Sequence, residues 1–399
     1  MRPLNPFAPT FGATPPMLAG RDGLLRDVLD ALATGPTHPS YTSLLLGRRG
    51  SGKTVALEAL RSAAQENGWL TISEAAVTRG LLNRLAHDTA EHLNKILDEL
   101  TAETTRDLAA AGIGVGPDYN PEADLSRRLT NVLRALASHL AATGAGLVVT
   151  VDELHAGEVG ELRMLGVTVQ DVTRVEQLPL AFVGAGLPTL EDTLLADSSI
   201  TFLQRCARYD VGFLEPPAAA AALAEPIRQR GGQMSSGAVD HAVNTSQGYP
   251  FLIQLVGFHA WEAAEDPTSE VTLEDVTSGA ATALRQLGQL VVAPMWKDLP
   301  DGARRFLVAM AVDDGVSRMA AIAKRLGASS GYASVYRQRL IKAGMVTPEG
   351  HGRLDFVLAA ARQWIRELDE YPLVCESLRL ADGDPIGFAR PTPATSPDR

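Results

Sequence analysis

Short runs of consecutive apolar residues alternate, in the first half of the chain, with longer segments whose apolar positions recur three or four residues apart. The apolar runs occupy 42–46, 69–73, 147–151 and 180–184, and glycine, proline or polar residues bound them. Such runs are typical of strands buried on both faces, and the spacing between them is that of amphipathic helices. The alternation predicts an α/β fold, in which helices cover both faces of a parallel sheet.

A different pattern follows the last of these strands. The segment 216–266 is alanine-rich and has helical spacing, which suits a helical lid over a binding site. The next helix is predicted to begin after Thr272, an N-cap residue, with Asp275 three residues later as its partner. The long connection 76–145 contains a Gly/Pro-rich run at 109–125, which predicts an exposed loop inserted into the core.

Residues 301–370 have the rhythm of a winged helix-turn-helix. Three amphipathic helical segments occur at 301–312, 318–327 and 331–346, and a short turn joins the last two. The segment 347–360 follows them and has the composition of a β-hairpin, which would form the wing.

The sequence between the first predicted strand and the following helix carries a phosphate-loop motif. Residues 47–54 fit the pattern G-x-x-x-x-G-K-[ST], and a helix-spaced apolar face begins directly after them. Glycine lets the backbone come close to a ligand, so successive N–H groups can point into one concavity at a helix N-terminus. The predicted nucleotide-binding residues of this loop are Gly47, Arg48, Arg49, Gly50, Ser51, Gly52, Lys53 and Thr54.

Two side chains of the loop have separate tasks in this interpretation. Lys53, expected to lie on a solvent-facing concavity, would reach the outer phosphates of a nucleotide as a point charge. The hydroxyl of Thr54 would coordinate Mg²⁺, which bridges phosphate oxygens. ATP with Mg²⁺ is therefore the predicted ligand.

Carboxylates for the same site follow another strand. The run 147–151 is continuous, apolar and mostly β-branched, and Asp152 and Glu153 come directly after it. Ligands of open α/β sheets bind at the carboxyl ends of the strands, where these two residues lie. We expect Asp152 to hold the Mg²⁺ and Glu153 to orient and polarise the hydrolytic water. The alternative is a carboxylate pair that only caps the following helix.

These motifs occur with weaker ones in a fixed order. The run LAGRDGLL at 18–25 precedes the phosphate loop, and VGAGLP, FLQRCARYDVGFLEP and SQGYPFLIQLVG follow the Asp-Glu strand. In this order the chain resembles AAA+ ATPases, and more narrowly the initiator-type, origin-recognition-like AAA+ proteins and their bacterial relatives, over roughly residues 15–370. The resemblance implies a P-loop NTPase core, a helical lid and ATPase activity.

The resemblance also implies roles for residues outside the two strong motifs. Gly20 and Arg21 would lie beside the base and ribose of the nucleotide. Arg205 would reach phosphates bound by a neighbouring subunit, which implies a homo-oligomer, and Arg208 is an alternative for this role. In the competing interpretation, both arginines only solvate the end of a helix.

Two departures from the family pattern bear on hydrolysis. Many AAA+ enzymes have a polar residue at the end of the strand corresponding to 180–184, whereas Gly184, Ala185 and Gly186 offer only backbone. The segment GYPFLIQL also lacks the arginine that often senses phosphate in such proteins. We therefore expect hydrolysis to be slow or conditional.

The distribution of charge distinguishes the predicted winged helix from the rest of the chain. The chain has a net charge of −11, but residues 301–370 contain 11 Lys and Arg against 8 Asp and Glu. A basic region on an acidic protein favours contact with double-stranded DNA, through the last helix and the wing. The candidate DNA-binding residues are Tyr336, Arg337, Arg339, Lys342 and Arg353. The alternative is a protein partner, with these charges as an ordinary solvated face.

Three functions fit these observations. An AAA+ ATPase whose nucleotide state controls DNA binding explains both halves of the chain. An ATP-dependent signalling switch, with little hydrolysis and with the winged helix binding a protein partner, explains both halves nearly as well. A plain ATPase with an inert C-terminal helical bundle does not explain why residues 301–370 are basic and the rest of the chain is acidic. The chain is expected to divide into five parts: an extended N-terminal segment (1–15), an AAA+ core (16–213), a helical lid with a connecting helix (214–296), a winged helix (297–371) and a disordered tail (372–399).

Composition and the N-terminal sequence indicate the class of protein and its cellular location. Hydrophobic residues make up 45% of the chain and charged residues 21%, which is ordinary for a globular protein. The N-terminal run has prolines where a secretory signal needs an apolar stretch, and no apolar run reaches membrane-spanning length, so we expect a cytoplasmic protein without membrane contact. Cys206 and Cys375 lie far apart and match neither a disulfide framework nor a metal site.

Overall fold

The computed structural model describes residues 3–10, 17–77, 79–98, 121–190 and 201–377. The chain folds into two compact units, one formed by residues 1–283 and the other by residues 284–399. Within the described ranges, no helix combines the length and the apolar character that crossing a lipid bilayer requires.

A five-stranded parallel sheet forms the centre of the first unit. Its strands are β1 (Thr42–Leu46), β2 (Leu70–Ala75), β3 (Leu147–Asp152), β4 (Leu180–Gly186) and β5 (Ala207–Asp210), in the spatial order β2-β3-β4-β1-β5. The predicted parallel α/β sheet is confirmed, with β1 to β4 at the four apolar runs. The sequence did not predict β5, because this edge strand pairs only with β1 and alternates between half-buried and exposed residues.

Helices cover both faces of this sheet. In chain order they are α1 (Asp22–Thr34), α2 (Lys53–Glu66), α3 (Leu81–Asp98), α4 (Pro121–Ala142), α5 (Val159–Gln170) and α6 (Thr201–Gln204). Successive residues of a strand point to opposite faces, so two cores result. Val149 and Phe182 pack into the core with α3, α4 and α5, whereas Val148 and Val183 pack into the core with α1 and α2. The carboxyl edge of the sheet is thereby held between two packed layers.

A helical segment follows the sheet within the first unit. It contains α7 (Pro216–Gln229), α8 (Ser236–Ser246), α9 (Pro250–Ala263) and a short parallel pair, β6 (Gln233–Met234) with β7 (Glu270–Val271). The next helix, α10 (Leu273–Leu287), continues past the end of this unit. Its predicted cap is confirmed, because the Thr272 amide donates to the Asp275 carboxylate and the Asp275 amide donates to the Thr272 hydroxyl.

The N-terminal arm, residues 3–10, lies against α9. Phe7 is buried, and a Cβ atom added to Gly257 would come within 2.4 Å of its ring. The Ala8 amide donates to Oε1 of Gln254 at 3.2 Å. The absence of a side chain at 257 therefore makes room for the arm on this helix.

The second unit combines helices with a small antiparallel sheet. The helices are α11 (Ala293–Lys297), α12 (Asp301–Ala311), α13 (Met319–Arg325), α14 (Ser330–Lys342), α15 (Ala359–Arg366) and α16 (Tyr371–Ser377). The strands are β8 (Ser317–Arg318), β9 (Val346–Pro348) and β10 (Arg353–Phe356), in the order β8-β10-β9. Phe306, Leu340, Leu354 and Ile365 form part of its buried core. The expected three helices and hairpin are present, whereas β8 is too short to leave a pattern in the sequence.

Two expected segments differ from the structure at their edges. In the run 109–125, expected to be a loop, residues 121–125 are the first residues of α4, and residues 109–120 lie outside the described part of the chain. The tail was expected to begin at 372, but α16 continues to Ser377, and Tyr371 at its start is buried. Residues 378–399 lie outside the described part.

Candidate nucleotide-binding site

The phosphate-loop motif connects β1 to α2 at the carboxyl edge of the sheet. Gly50 and Gly52 have φ angles of 71° and 89°, in the left-handed region that favours glycine. Gly47 is also required, because a Cβ atom there would lie 2.4 Å from the carbonyl oxygen of Val211. Lys53 is the first residue of α2, so the loop ends at a helix N-terminus, where backbone N–H groups lack intrahelical acceptors. This is the geometry that binds phosphate.

Three side chains hold the carbonyl groups of the loop. Lys53 donates from Nζ to the carbonyl of Arg48 at 3.0 Å, and the Tyr249 hydroxyl donates to the carbonyl of Arg49 at 3.1 Å. Arg21 donates from Nη2 to the carbonyl of Ser51 at 3.2 Å. Because protein donors already occupy these carbonyl oxygens, the loop is fixed before any ligand binds.

Lys53 is buried, so its expected solvent-facing position is wrong. Its exposed fraction is 5%, and it borders a cavity from below the loop. Burial lowers the pKa of the Lys53 ammonium and nearby Arg49 acts in the same direction, whereas Glu153 and Asp152 oppose the change. The two carboxylates thus supply the countercharge that a buried ammonium needs.

The predicted carboxylates and the loop hydroxyl come together. The Thr54 hydroxyl donates to Oδ2 of Asp152 at 2.6 Å, and Oδ1 of Asp152 accepts from the Glu153 amide at 2.7 Å. A hydroxyl and a carboxylate in contact are oxygen donors of the kind that Mg²⁺ prefers, so these residues fit the ion. Glu153 has a φ of 55°, unusual for a residue with a side chain, and borders the same cavity.

His155 lies beside Glu153 and was not assigned a role from the sequence. Its Nε2 lies 3.2 Å from Oε2 of Glu153, and its Nδ1 accepts from the Leu187 amide at 3.4 Å. Burial lowers the pKa of His155 and the nearby Lys53 ammonium contributes, with Glu153 opposing. No periodicity or motif in the sequence distinguishes this histidine from a structural one.

A cavity of about 350 Å³ opens beside the loop. Lys53, Thr54 and Glu153 border it at one end. The remaining wall is largely apolar and comes from the segments before α1 and α7, from α9 and from the N-terminal arm; it includes Ala8, Met17, Leu18, Leu214, Phe251 and Ile253. A polar end and an apolar end in one cavity suit a ligand that joins phosphates to a flat ring.

Of the two residues expected beside the base and ribose, Arg21 borders this cavity, whereas Gly20 is not among its lining residues. The guanidinium of Arg21 also donates to the carbonyl of Gly212, so it joins the loop to the segment after β5. Burial lowers the pKa of Arg21, and Asp210 opposes this change. Gly20 has a φ of 66°, and a Cβ atom there would lie 3.0 Å from Cβ of Ala218. It therefore permits a turn close to α7.

Tyr249 is a site residue that sequence reasoning missed. It precedes α9, is 2% exposed and covers the loop, since a Cβ atom on Gly50 would lie 2.0 Å from its hydroxyl oxygen. Phe213 packs against its ring, with centroids 5.2 Å apart. The motif SQGYPFL marks the turn that holds this residue but not its contact with the loop. Tyr249 thus joins the helical segment to the phosphate loop.

The comparison with known families gives two matches. Residues 17–183 match the AAA ATPase domain family. This part of the chain is similar to AAA ATPase domains. Residues 289–365 match a family described as a domain of unknown function, DUF8462. The search of curated proteins gave no match.

Solved structures with the same fold span nearly the whole chain. A Walker-type ATPase of Pyrococcus abyssi is 16% identical, with a TM-score of 0.59, and the match covers 88% of this chain and 96% of that one. The ORC2 protein of Aeropyrum pernix, in its ADPNP-ADP complexes, is 12% identical, with a TM-score of 0.57 and coverage of 94% and 98%. The predicted resemblance to initiator-type AAA+ ATPases is confirmed at the level of fold.

The arginines expected to act between subunits lie on the surface of the first unit. Arg205 is exposed directly after α6, and its amide donates to the Phe202 carbonyl. Arg208 is exposed on the edge strand β5 and borders a second cavity with Arg48 and Asp210. Burial lowers the pKa of Arg48, and Asp210 opposes this change. Arg205 is placed where another molecule can reach it.

The candidate DNA-binding residues share one helix and one strand of the second unit. Tyr336, Arg337, Arg339 and Lys342 lie on α14, and Arg353 begins β10. Arg339, Lys342 and Arg353 are exposed, whereas Tyr336 and Arg337 are half-buried. The Arg339 guanidinium lies 5.6 Å from the ring centre of Tyr336. The predicted helix therefore presents a basic surface with an aromatic ring in it.

Several other basic residues of this unit have structural partners. Arg325 and Arg366 donate to the carboxylates of Asp313 and Asp314, at 2.5 and 2.8 Å, and Arg362 pairs with a third carboxylate at 355. These pairs account for three positive and three negative charges, although the Asp314 side chain itself is exposed. The excess positive charge that sequence counting detected therefore belongs to the remaining, more exposed basic residues, which also include Arg305, Arg318 and Lys324.

Proposed function

We propose that the AAA ATPase domain binds ATP with Mg²⁺ and hydrolyses it at a slow or conditional rate. The observation that carries this proposal is the contact of 2.6 Å between the Thr54 hydroxyl and Asp152, with Glu153 next to it at the cavity. A phosphate loop alone is compatible with binding only. Hydrolysis is supported by three features together: the phosphate loop, the oxygen atoms of Thr54 and Asp152 that fit Mg²⁺, and the adjacent carboxylate of Glu153.

Each residue has a separate part in this mechanism. The amides of residues 50–54 and the Lys53 ammonium would hold the β- and γ-phosphates, and Thr54 and Asp152 would hold Mg²⁺. Bound Mg²⁺ neutralises charge on the phosphate oxygens. Glu153 would orient the attacking water and accept its proton as the water oxygen bonds to phosphorus and ADP leaves.

The apolar end of the cavity supports adenosine as the rest of the ligand. Met17 and Leu18 offer flat contact to a base from one side, and Phe251 and Ile253 from α9 offer it from another. Arg21 would then act mainly by holding the loop carbonyl of Ser51, with Gly20 permitting the turn beside it.

A role for Arg205 in a second subunit completes the proposed site. Its guanidinium is exposed, permanently charged and planar, so it can form a bidentate contact with a γ-phosphate bound by a neighbouring copy. A homo-oligomer, in which each site is finished by its neighbour, follows from this assignment.

We further propose that the second unit is a winged helix that binds double-stranded DNA under control of the nucleotide. In its order of elements, α12, β8, α13 and α14 precede a hairpin of β9 and β10, so α14 corresponds to the recognition helix. The boundaries that we propose are 16–213 for the core, 214–296 for the lid and connecting helix, and 297–377 for the winged helix, because α16 packs on its core.

A second candidate function has a specific observation in its favour. Tyr332 and Val335 of α14 are 48% and 47% exposed, and such apolar exposure on a helix is also typical of protein contacts. In this alternative, ATP binding with little hydrolysis would switch the winged helix toward a protein partner.

The experiment that tests the ATPase proposal compares the parent protein with Lys53→Ala and Glu153→Gln in calorimetric titration and phosphate-release assays. We expect Lys53→Ala to lose ATP binding, and Glu153→Gln to bind ATP and fail to release phosphate. Equal phosphate release by Glu153→Gln and the parent would overturn the role of Glu153 and favour the switch.

Binding to mixed-sequence duplex DNA, with and without ATP over a salt series, distinguishes the two uses of the winged helix. We expect ATP-dependent binding that weakens with salt. Failure of the parent to bind any duplex would favour the protein partner.

A further inference from the structure

The position of Gly184, near the carboxyl end of β4, has no room for a side chain. A Cβ atom on Gly184 would lie 2.4 Å from Cδ1 of Leu154 and 3.0 Å from Cδ2 of Leu44. Both leucines are fully buried, so neither can move aside without opening a cavity elsewhere. Leu154 belongs to the 3₁₀ turn Leu154–Ala156, which packs against β4 directly after Glu153. The turn thus explains why position 184 of this strand is glycine.

The same turn brings a polar side chain to the end of β4. His155 accepts the amide proton of Leu187, the first residue after β4, at its Nδ1. Since Nδ1 is the acceptor, the neutral ring carries its proton on Nε2. Nε2 lies 3.2 Å from Oε2 of Glu153, a distance within reach of a hydrogen bond. His155 therefore joins the backbone after β4 to the carboxylate after β3.

We propose that His155 is a positioning residue for Glu153, and that it supplies a polar side chain at the end of β4, where Gly184, Ala185 and Gly186 offer none. The inference rests on the proposed hydrolysis of ATP, because it assigns a partner to the residue that orients the water. It adds a residue that acts through Glu153 rather than on the nucleotide.

The surroundings of the two side chains indicate how His155 acts. The Glu153 side chain is 38% exposed, so contact with water alone would leave its carboxylate free to rotate. The His155 side chain is only 16% exposed, and its hydrogen bond with the Leu187 amide fixes the ring. A fixed imidazole holds one carboxylate oxygen and leaves the other for the water. Loss of His155 is therefore expected to lower the rate of hydrolysis and to leave the affinity for ATP nearly unchanged.

The experiment measures ATP affinity and single-turnover hydrolysis of the full-length protein for the parent, His155→Leu, His155→Gln and His155→Asn. We expect His155→Leu to hydrolyse ATP roughly tenfold to a hundredfold more slowly, the usual cost of losing a supporting hydrogen bond at a reactive group. Glutamine can extend an N–H group to the position of Nε2, so His155→Gln should recover most of the rate. Asparagine is too short to reach Glu153, so His155→Asn should stay slow.

The matched control is the pair of His87 and Glu91 on α3, where Nε2 and the carboxylate lie 3.6 Å apart away from the cavity. His87→Leu should hydrolyse ATP like the parent. Slower hydrolysis by His87→Leu as well would overturn the inference in favour of a general structural role.

The remaining outcomes separate this inference from the proposed function. If the parent hydrolyses ATP and His155→Leu matches it, the positioning role is wrong and the ATPase proposal stands. If the parent binds ATP and shows no hydrolysis at any protein concentration, both are overturned. If His155→Leu fails to fold, the glutamine and asparagine variants decide, and equal rates for these two would refute the role.

Discussion

Substitution of Gly50 by alanine tests the contact between the phosphate loop and Tyr249. The added methyl group would lie 2.0 Å from the Tyr249 hydroxyl oxygen and 2.7 Å from Cζ, and the ring is buried. The φ of 71° at this position adds strain for any residue with a side chain. Gly52→Ala is the matched control, because Gly52 has a φ of 89°, but among the described residues nothing beyond its chain neighbours and its own helix lies within 4 Å of where the methyl group would be.

The magnitude follows from three contributions. A residue with a side chain in the left-handed region costs about 1–2 kcal/mol, and forcing a methyl group into a packed site costs about 1–3 kcal/mol. Loss of the hydrogen bond from Tyr249 to the Arg49 carbonyl adds about 1 kcal/mol. We expect Gly50→Ala to lose about 4 kcal/mol of folding free energy and Gly52→Ala to lose only the first contribution.

Thermal unfolding of the full chain, with and without ATP, measures the difference. ATP raises the midpoint only of the transition that involves the nucleotide-binding unit, which identifies that transition. A difference of about 2–3 kcal/mol corresponds to a midpoint roughly 6 °C lower for Gly50→Ala than for Gly52→Ala. Tyr249→Phe in the Gly50→Ala background should recover part of this loss. Equal midpoints for the two glycine variants would refute the contact.

Three further predictions concern other surfaces. Arg205→Ala should lower ATP turnover and spare ATP affinity, with specific activity of the parent rising with protein concentration; flat specific activity over a wide dilution range would contradict the assignment. The double variant Arg337→Ala, Arg339→Ala should bind duplex DNA more weakly and with a salt slope reduced by about one for each lost phosphate contact, as measured by titration at several salt concentrations; an unchanged slope and affinity would remove α14 from the interface. Arg325→Met should destabilise the second unit by about 2 kcal/mol in denaturant unfolding, because the half-buried Asp313 carboxylate loses its paired guanidinium; a change below about 0.5 kcal/mol would show that the pair contributes little.

The same aspartate gives the parent a pH dependence with a definite sign. Hydrogen bonds from Arg325 and Ser317 hold the pKa of Asp313 below its ordinary value despite the opposing effect of burial. A carboxyl group with a lowered pKa in the folded state contributes stability above its unfolded pKa, near 3.9, and that contribution is lost as the pH falls through the folded value. Unfolding midpoints measured between pH 3 and 6 should therefore fall toward acid, and this fall should be smaller in Arg325→Met.

The sequence predicted the parts of the site that depend on local order. The phosphate loop and the Asp-Glu strand were recognisable because residue type and spacing alone determine a glycine turn at a helix start and a polar end on a buried strand. The contact between Thr54 and Asp152 follows directly, since parallel strands bring their carboxyl ends to one edge.

The sequence did not predict contacts between segments distant in the chain. Tyr249 reaches the loop from 200 residues away, and the His155 ring is oriented by an amide 32 residues later. Neither pairing leaves a periodicity, because each depends on how helices and turns pack over the sheet. Strand β5 was missed for a related reason, since an edge strand with alternating exposure lacks the continuous apolar run that marks its neighbours.

The N-terminal arm has a consequence for nucleotide exchange. Ala8 and Thr10 border the cavity, and Phe7 anchors the arm on α9 beside Gly257. A nucleotide bound there would be enclosed partly by the arm, which has no regular secondary structure. The Phe7 ring and a few hydrogen bonds hold the arm on α9. Detachment of so short a segment is a local opening that leaves the sheet intact. If the cavity holds a nucleotide as proposed, detachment of the arm would open it, so a bulky N-terminal tag is expected to raise the rate at which ADP leaves.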